Sequence, residues 1–500
     1  MHSRKFIYPV VGWLALALSL VGSIESGSNT AQAAPAEARD VDRALWVRSL
    51  DQVLSRKGLE GAKVSALVVR HRDGLVLYQR KPDRLMIPAS NAKLLTALAT
   101  LDAFGPTHQF VTEISSDAAP GPRGTVKRLY LRGGGDPAIT TEDWWRLASE
   151  LRDAGLRRVQ GDLVLDDTAF DRVRWHPSVE GRSSRAYHAP VGALNANYGS
   201  FAVTVRPGAK VGEPLSVSVT PPLPYLRVSN EGRTLGKRER RSLVVDRSAG
   251  EGDEIVSIRG GVRIGDPGKT FYRSVLRPDL YAGAVLKMQL AALGVKVSGV
   301  VRPGVVPEDV YLLHEFKGRP VAEIVRLFMK FSNNGIAEAF VKNLGALASG
   351  GVGRWDEGIP EVRRRLIANG VAAEGFSLVD GSGLSYQDRV SPRALVSALR
   401  AGLDSFRWGP EFIASLPIAA RDGTLEERAD GARDQVRAKT GLLNGVTGLS
   451  GYASLAGEHG GTRRERVVFS VLANDYQHGD DSAMNALDRF AALLIEAPTR

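Results

Sequence analysis

Ile87-Pro88-Ala89-Ser90-Asn91-Ala92-Lys93-Leu94-Leu95-Thr96-Ala97-Leu98-Ala99-Thr100-Leu101-Asp102-Ala103-Phe104 starts as an extended X-Pro segment and becomes an apolar helix. Leu94, Ala97, Leu98 and Leu101 recur at helical spacing and face a core, and Gly105-Pro106 ends the run. Ser90 therefore stands at a helix N-terminus. Lys93 lies one turn further on the same face. Upstream, a short helix around Asp40–Arg56 precedes two alternating segments, Val64–Arg70 and Leu75–Arg80, with the hairpin signal Asp73-Gly74 between them.

Working downstream, the character changes at about residue 112 and stays changed to 308. Short strands rich in Val, Gly, Pro and Arg are expected there, including Phe201–Val205, Leu215–Val219 and Ile255–Ile264. Two stretches resemble each other. Trp145–Asp167 reads as a helix ending in Ala154-Gly155-Leu156 and then a Val-x-Gly strand, and Tyr281–Val301 repeats that order through Leu293-Gly294-Val295. They read as two halves of one inserted domain, 112–194 and 276–308, interrupted by an all-β domain at 195–275. Past 308 the helical pattern returns. Val321–Lys330 and Ile336–Leu347 flank Ser332-Asn333-Asn334 in a helix-to-helix turn, with Asn334-Gly335 as the break. Ser391-Pro392 opens a helix through Leu403. Gln435–Lys439, Gly448–Leu455 and Val467–Asn474 read as strands, and Ser482–Ile495 as a closing helix. The layout is α+β: a domain in two segments, 40–111 and 309–500, split by a long insertion of two smaller, β-rich domains.

Composition narrows the setting. Five hundred residues with 43% hydrophobic and 24% charged side chains can bury full cores in two or three domains. His2, Arg4 and Lys5, the apolar run Phe6–Val21 and Ala31-Gln32-Ala33 read as a secretory signal peptide over 1–33. An uncleaved anchor is the competing reading, weakened by Pro9 and Gly12; no transmembrane span is expected in the mature chain. The periplasm or outer envelope is the implied compartment. The absence of cysteine excludes a thiol nucleophile, thiolate zinc sites and disulfides. The formal charge is +11; residues 1–33 carry Arg4, Lys5 and Glu25, a net +1, leaving +10. In an exported chain that charge points to anionic cell-wall polymer, and no nucleic acid partner is expected. The clusters Lys237–Arg241 and Arg463–Arg466 read as solvated faces. With no His-x-x-x-His or Asp-rich ligand pattern, neither a metal nor another cofactor is expected.

The residues that carry chemistry are Ser90 and Lys93, Ser332 and Asn334, and Lys439-Thr440-Gly441. A Ser-x-x-Lys alone arises by chance about twice in a chain this long; the ordered set of three does not. A serine hydroxyl attacks only once something removes its proton. Lys93 can do so if burial or a neighbouring cation lowers its pKa from about 10.4, and Lys439 is a candidate for that cation. Ser332 can pass a proton to a leaving amine, and Asn334 can orient Lys93 and hold a substrate amide. Lys439 and Thr440 can bind a terminal carboxylate, with Gly441 letting substrate approach the backbone. The N–H groups of Ser90 and Leu442 are candidates for an oxyanion hole. Which residue is the acylation base stays open at this level.

The ordered motifs resemble those of serine enzymes that acylate themselves on D-Ala-D-Ala peptides or β-lactams. The 238 residues between Lys93 and Ser332 far exceed a β-lactamase gap. They resemble the insertions of the low-molecular-mass, class C penicillin-binding proteins, which are D-alanyl-D-alanine carboxypeptidases and endopeptidases. Gly133–Pro137, Gly161-Asp162 through Phe170-Asp171, Asp380–Ser385, Leu416–Ala419 with Asp422–Leu425, and Leu449–Tyr452 are further family-like blocks. The resemblance runs from about residue 45 to the C-terminus. It implies a serine β-lactamase/DD-peptidase-like catalytic domain, peptidoglycan stem peptides as substrate and β-lactam antibiotics as inhibitors. Two residues depart from the pattern: Asn333 where Asp is common, and Leu442 where many relatives carry Ser or Thr. Leu442 removes a hydrogen bond to a substrate's terminal carboxylate and tilts the expectation towards endopeptidase action. The rival readings are a β-lactamase or esterase on the same scaffold and a catalytically lapsed wall-binding protein.

Overall fold

The two outer segments of the chain meet in one antiparallel sheet. Its five strands run in the order Val76–Arg80, Lys63–Arg70, Arg466–Asn474, Val446–Ser454, Val436–Leu443. The computed structural model that shows this describes residues 36–56, 58–455 and 465–497. The leader at 1–33, and Arg463 and Arg464, lie outside the described residues.

Strand periodicity explains why both faces are covered. Val64, Ala66 and Val68 pack under the terminal helices Ala36–Val53 and Asp480–Leu494, whereas Leu67 and Val69 join the core of the helical layer opposite. The adjacent strand repeats the division, with Val467, Phe469 and Val471 on one face and Val468 and Leu472 on the other. Helices Ala92–Phe104, Val321–Phe331, Asn334–Ser349 and Pro392–Asp404 form that opposite layer, locked by Leu94, Leu98, Phe328, Phe340, Leu395 and Leu399. Each such side chain contributes about 1.5–3 kcal/mol on burial. That packing fixes the helix ends carrying Ser90 and Ser332. The Ser391 hydroxyl caps its helix by accepting from Ala394 N at 3.1 Å, as Ser-Pro at a helix start predicts.

The insertion builds a second five-stranded sheet, ordered Val301–Pro303, Leu163–Asp166, Leu129–Arg132, Gln109–Ser116, Tyr311–Pro320. Helices Thr141–Asp153 and Pro278–Ala292 cover it through Trp144, Leu147, Leu286 and Leu290. The two similar sequence stretches lie side by side in space. Val301–Pro303 runs parallel to Leu163–Asp166, and Lys296-Val297 parallel to Arg158-Val159. Between them, small sheets made from Ser200–Arg206 through Lys269–Ser274 form the inner lobe.

Two expectations change. Tyr311–Pro320 pairs with Gln109–Ser116, so the chain rejoins the first domain at Val321, not 309, and leaves it by Gln109, not 112. This edge strand exposes Tyr311 and Leu312 and buries only Phe316 among its large side chains, so it shows no alternation to read. Ile255–Ile264 is two strands, Glu254–Arg259 and Gly261–Arg263, in separate sheets. Gly260 between them has φ +83, which breaks the run. No helix among the described residues is long and apolar enough to cross a membrane.

Candidate active site

A tight turn presents Ser90. Residues Ala89–Asn91 form one 3-10 turn that runs into helix Ala92–Phe104, and no side chain caps that helix start. The Ser90 hydroxyl is therefore not consumed as a cap. Ala89, directly before it, is held at φ +47, a left-handed conformation that a non-glycine residue keeps only under constraint. The constraint comes from both sides. Gly383 has φ +74, and a Cβ there would stand 1.9 Å from the Ala89 carbonyl oxygen. On the other side a Cβ on Gly441 would meet Asn91 Nδ2 at 2.6 Å and the Pro88 oxygen at 2.8 Å. Glycine at these points lets two remote stretches grip the turn.

Lys93 is fully buried. Its Nζ donates to Ser90 Oγ at 3.0 Å, to Asn334 Oδ1 at 2.7 Å and to the Ser382 carbonyl at 2.6 Å. Asn334 is itself held, donating from Nδ2 to the Tyr187 carbonyl of the insertion at 3.0 Å. Lys439, also fully buried, donates to Ser332 Oγ at 3.0 Å and to the Thr440 carbonyl at 2.7 Å. Ser90, Ser332, Asn334 and Leu442 line one cavity of about 800 Å³, closed on another side by Glu180, Arg185 and Tyr187. Burial pushes Lys93 down to about 8, against the opposing pull of Asp380, Glu338 and Asp388. Lys439 is pushed well below the ordinary lysine range, by burial first and then by the charges of Lys93 and Arg428. Two lysines without a carboxylate partner, converging on two serine hydroxyls, can deprotonate one and feed a proton through the other.

The chain matches the D-Ala-D-Ala carboxypeptidase 3 (S13) family over residues 46–494. It belongs to that family. It is a hydrolase of the serine-type D-Ala-D-Ala carboxypeptidase class. A D-alanyl-D-alanine carboxypeptidase of Actinomadura sp. (strain R39) is 36% identical over 468 residues, covering 89% of this chain and 84% of the relative. The carboxypeptidase DacB of Haemophilus influenzae is 26% identical over 437 residues, covering 85% of this chain and 88% of its own. The crystal structure of penicillin binding protein 4 (dacB) from Haemophilus influenzae superposes with TM-score 0.75 at 24% identity, over 89% of this chain and 98% of that one. That likeness shows the α+β fold. The same protein has been solved in complex with a β-lactam, with TM-score 0.71.

Within this S13 member, each residue singled out in the sequence falls at or beside one cleft, with some changes of detail. The break between the two helices is at Ser332, in the left-handed region at φ 56, and not at Asn334-Gly335, which begin the next helix. Asn333 caps that helix by accepting from Ile336 N at 3.0 Å. Asn and Asp cap about equally well, so the departure at this position costs nothing. Gly441 faces the protein's own Ser90 turn, so substrate approach is not what excludes a side chain there. The Thr440 hydroxyl bonds Thr424 Oγ1 at 2.8 Å, and Lys439 sits behind Ser332. Leu442 instead offers the cavity an apolar side chain that is 45% exposed. Two participants were not named from sequence: the Ser382 carbonyl and the buried Glu338. A backbone carbonyl leaves no side-chain signature. Glu338 does leave one, as an acidic residue one turn after Asn334 and one turn before Lys342 on the same helix.

Proposed function

We propose that this protein is an exported serine DD-peptidase acting on peptidoglycan stem peptides through an acyl-enzyme on Ser90, and that β-lactams acylate the same hydroxyl. The observation that carries the reading is the set of three contacts at Lys93 Nζ. Asn334 Oδ1 and the Ser382 carbonyl are acceptors only. In the neutral amine they take its two hydrogens, which leaves the lone pair directed at the Ser90 hydroxyl. Lys93 is then the base. It takes the Ser90 proton as Oγ bonds to the carbonyl carbon of the penultimate D-Ala, and the oxyanion is received by the N–H groups of Ser90 and Leu442. The C–N bond breaks as the proton taken up by Lys93 is returned to the leaving amine through Ser332, which Lys439 backs. Water then hydrolyses the ester by the reverse proton path. Ser332 also receives the field of Lys439, and the Thr440 hydroxyl serves a substrate's terminal carboxylate.

The exposed Leu442 favours a second emphasis within this reading. An apolar side chain where a hydroxyl would bind a carboxylate weakens selection for a free C-terminus. Cleavage of D-Ala–diamino acid cross-links is therefore expected alongside release of terminal D-Ala. Export to the periplasm is proposed on the leader at 1–33.

Digestion of purified cross-linked and uncross-linked muropeptides, with the released amines identified by mass, tests the reading. Free D-Ala or separated stem peptides are expected from the wild type and not from Ser90→Ala. Release that persists in Ser90→Ala would refute it.

A further inference from the structure

Glu338 is 7% exposed and sits on helix Asn334–Ser349, one turn beyond Asn334. Its Oε1 accepts from Ser382 N at 2.9 Å and from Gly381 N at 3.2 Å, and its Oε2 accepts from Trp355 Nε1 at 2.7 Å. Every one of these partners is an N–H donor. The ionised carboxylate accepts from all three, whereas the acid form would carry an O–H that none of them can accept; burying such a charge is costly. The same turn is shaped by Asp380, whose Oδ1 accepts from Ser382 N at 2.9 Å and Gly383 N at 2.6 Å, and whose Oδ2 accepts from Ser385 N at 2.8 Å. The turn so fixed has two working contacts: Gly383 against the strained Ala89, and the Ser382 carbonyl on Lys93 Nζ.

We propose that Glu338 is a positioning residue for Lys93: by holding the N–H groups of Gly381 and Ser382 it aims the Ser382 carbonyl that directs the lysine at Ser90. The inference rests on the proposed acylation at Ser90. Other charged groups surround the pair. Asp380 shapes the turn and Asp388 accepts from Val379 N at 2.7 Å beside it; burial first, and then the charge of Asp380, pushes Asp388 up. Lys439 faces Lys93 from the edge strand, with Arg428 behind it. Lys342 lies over the Trp355 ring, 4.0 Å from its centroid. Burial, and then the charge of Asp380, raises Glu338, and in its charged form the carboxylate pulls on Lys93. That charge favours the protonated lysine.

The test is the rate of penicillin acylation against pH, measured on the full chain by rapid quench and mass spectrometry. A Gln side chain cannot accept from all three donors and carries no charge. Glu338→Gln is expected to lower the alkaline plateau by about 10- to 100-fold, the rate equivalent of losing a hydrogen bond to a charged group. It is also expected to move the rising limb to lower pH. A plateau and limb equal to wild type would overturn the proposal, as would a lowered plateau with an unmoved limb, since a merely structural role predicts the latter. If Glu338→Gln fails to fold by circular dichroism, Trp355→Phe removes one donor and keeps the acid. A smaller change of both in the same directions is expected, and unchanged values overturn the proposal. Wild-type protein that takes no penicilloyl group at Ser90 refutes the proposed function itself, which separates the two failures.

Discussion

Among the described residues, four buried lysines divide this molecule into two kinds of region. Lys342 and Lys330 stitch elements together and each has a carboxylate. Lys342 bonds Asp171 and the Val173 carbonyl, tying the insertion to helix Asn334–Ser349. Lys330 bonds Asp422 at 2.7 Å and the Leu416 carbonyl at 2.6 Å. Lys93 and Lys439, at the cleft, touch only hydroxyls, an amide oxygen and carbonyls. Burial lowers Lys330 and Lys342 too, but at each a hydrogen-bonded carboxylate opposes the shift, which suits a structural tie. Without such a partner, Lys93 is pushed by burial down to about 8 and Lys439 well below the ordinary lysine range, the condition a proton-transferring lysine needs. The same residue type thus does opposite work, and the partner decides which.

That division can be broken by exchanging roles. Lys93→Ala should lower Ser90 acylation by about a thousandfold, within the range of a positioned general base, with a thermal midpoint no lower than wild type; quenched-flow labelling and differential scanning calorimetry measure the two. Lys342→Met should do the reverse, leaving Asp171 without its partner and costing about 3 kcal/mol of stability while the rate on a small depsipeptide substrate is kept. A rate lost together with stability would erase the distinction. Leu442→Thr sharpens the cleft side of the comparison. Restoring one hydrogen bond to a charged carboxylate, about 1.5 kcal/mol or more, should raise kcat/KM on peptides ending in D-Ala about tenfold and leave cross-link cleavage unchanged. Asn333→Ala is the smallest change, about 1 kcal/mol of stability through a lost helix cap, with the pH profile of acylation unchanged.

The sequence was most readable where chemistry and local periodicity coincide. Ser90 and Lys93 stand three apart at the start of an apolar helix, and Lys439 lies in an alternating run that becomes the edge strand Val436–Leu443. Ser332 and Asn334 fell between two helical patterns, and only the point of the break was misplaced. What stayed hidden depends on long-range contact. Nothing local in Tyr311–Pro320 marks it as a strand, because its only large buried side chain is Phe316. Gly441 reads locally as a point of substrate approach, because its real neighbour, Asn91, lies 350 positions away in the chain. The Ser382 carbonyl enters the site only because Gly383 lets its turn press against Ala89.

The pH dependence of wild-type acylation follows from Lys93. On the proposed mechanism its ammonium must lose a proton before it can act as base, so the rate should climb through about pH 8 and level off above. A rate that falls as pH rises through that range would assign the base elsewhere.

Peptide mapping of the protein after brief exposure to benzylpenicillin addresses the convergence of Ser90, Lys93, Ser332, Asn334 and Lys439 most directly. One penicilloyl group is predicted, on the tryptic peptide containing Ser90 and absent after Lys93→Ala. Label on a different serine, or undiminished label in the lysine variant, would contradict the account.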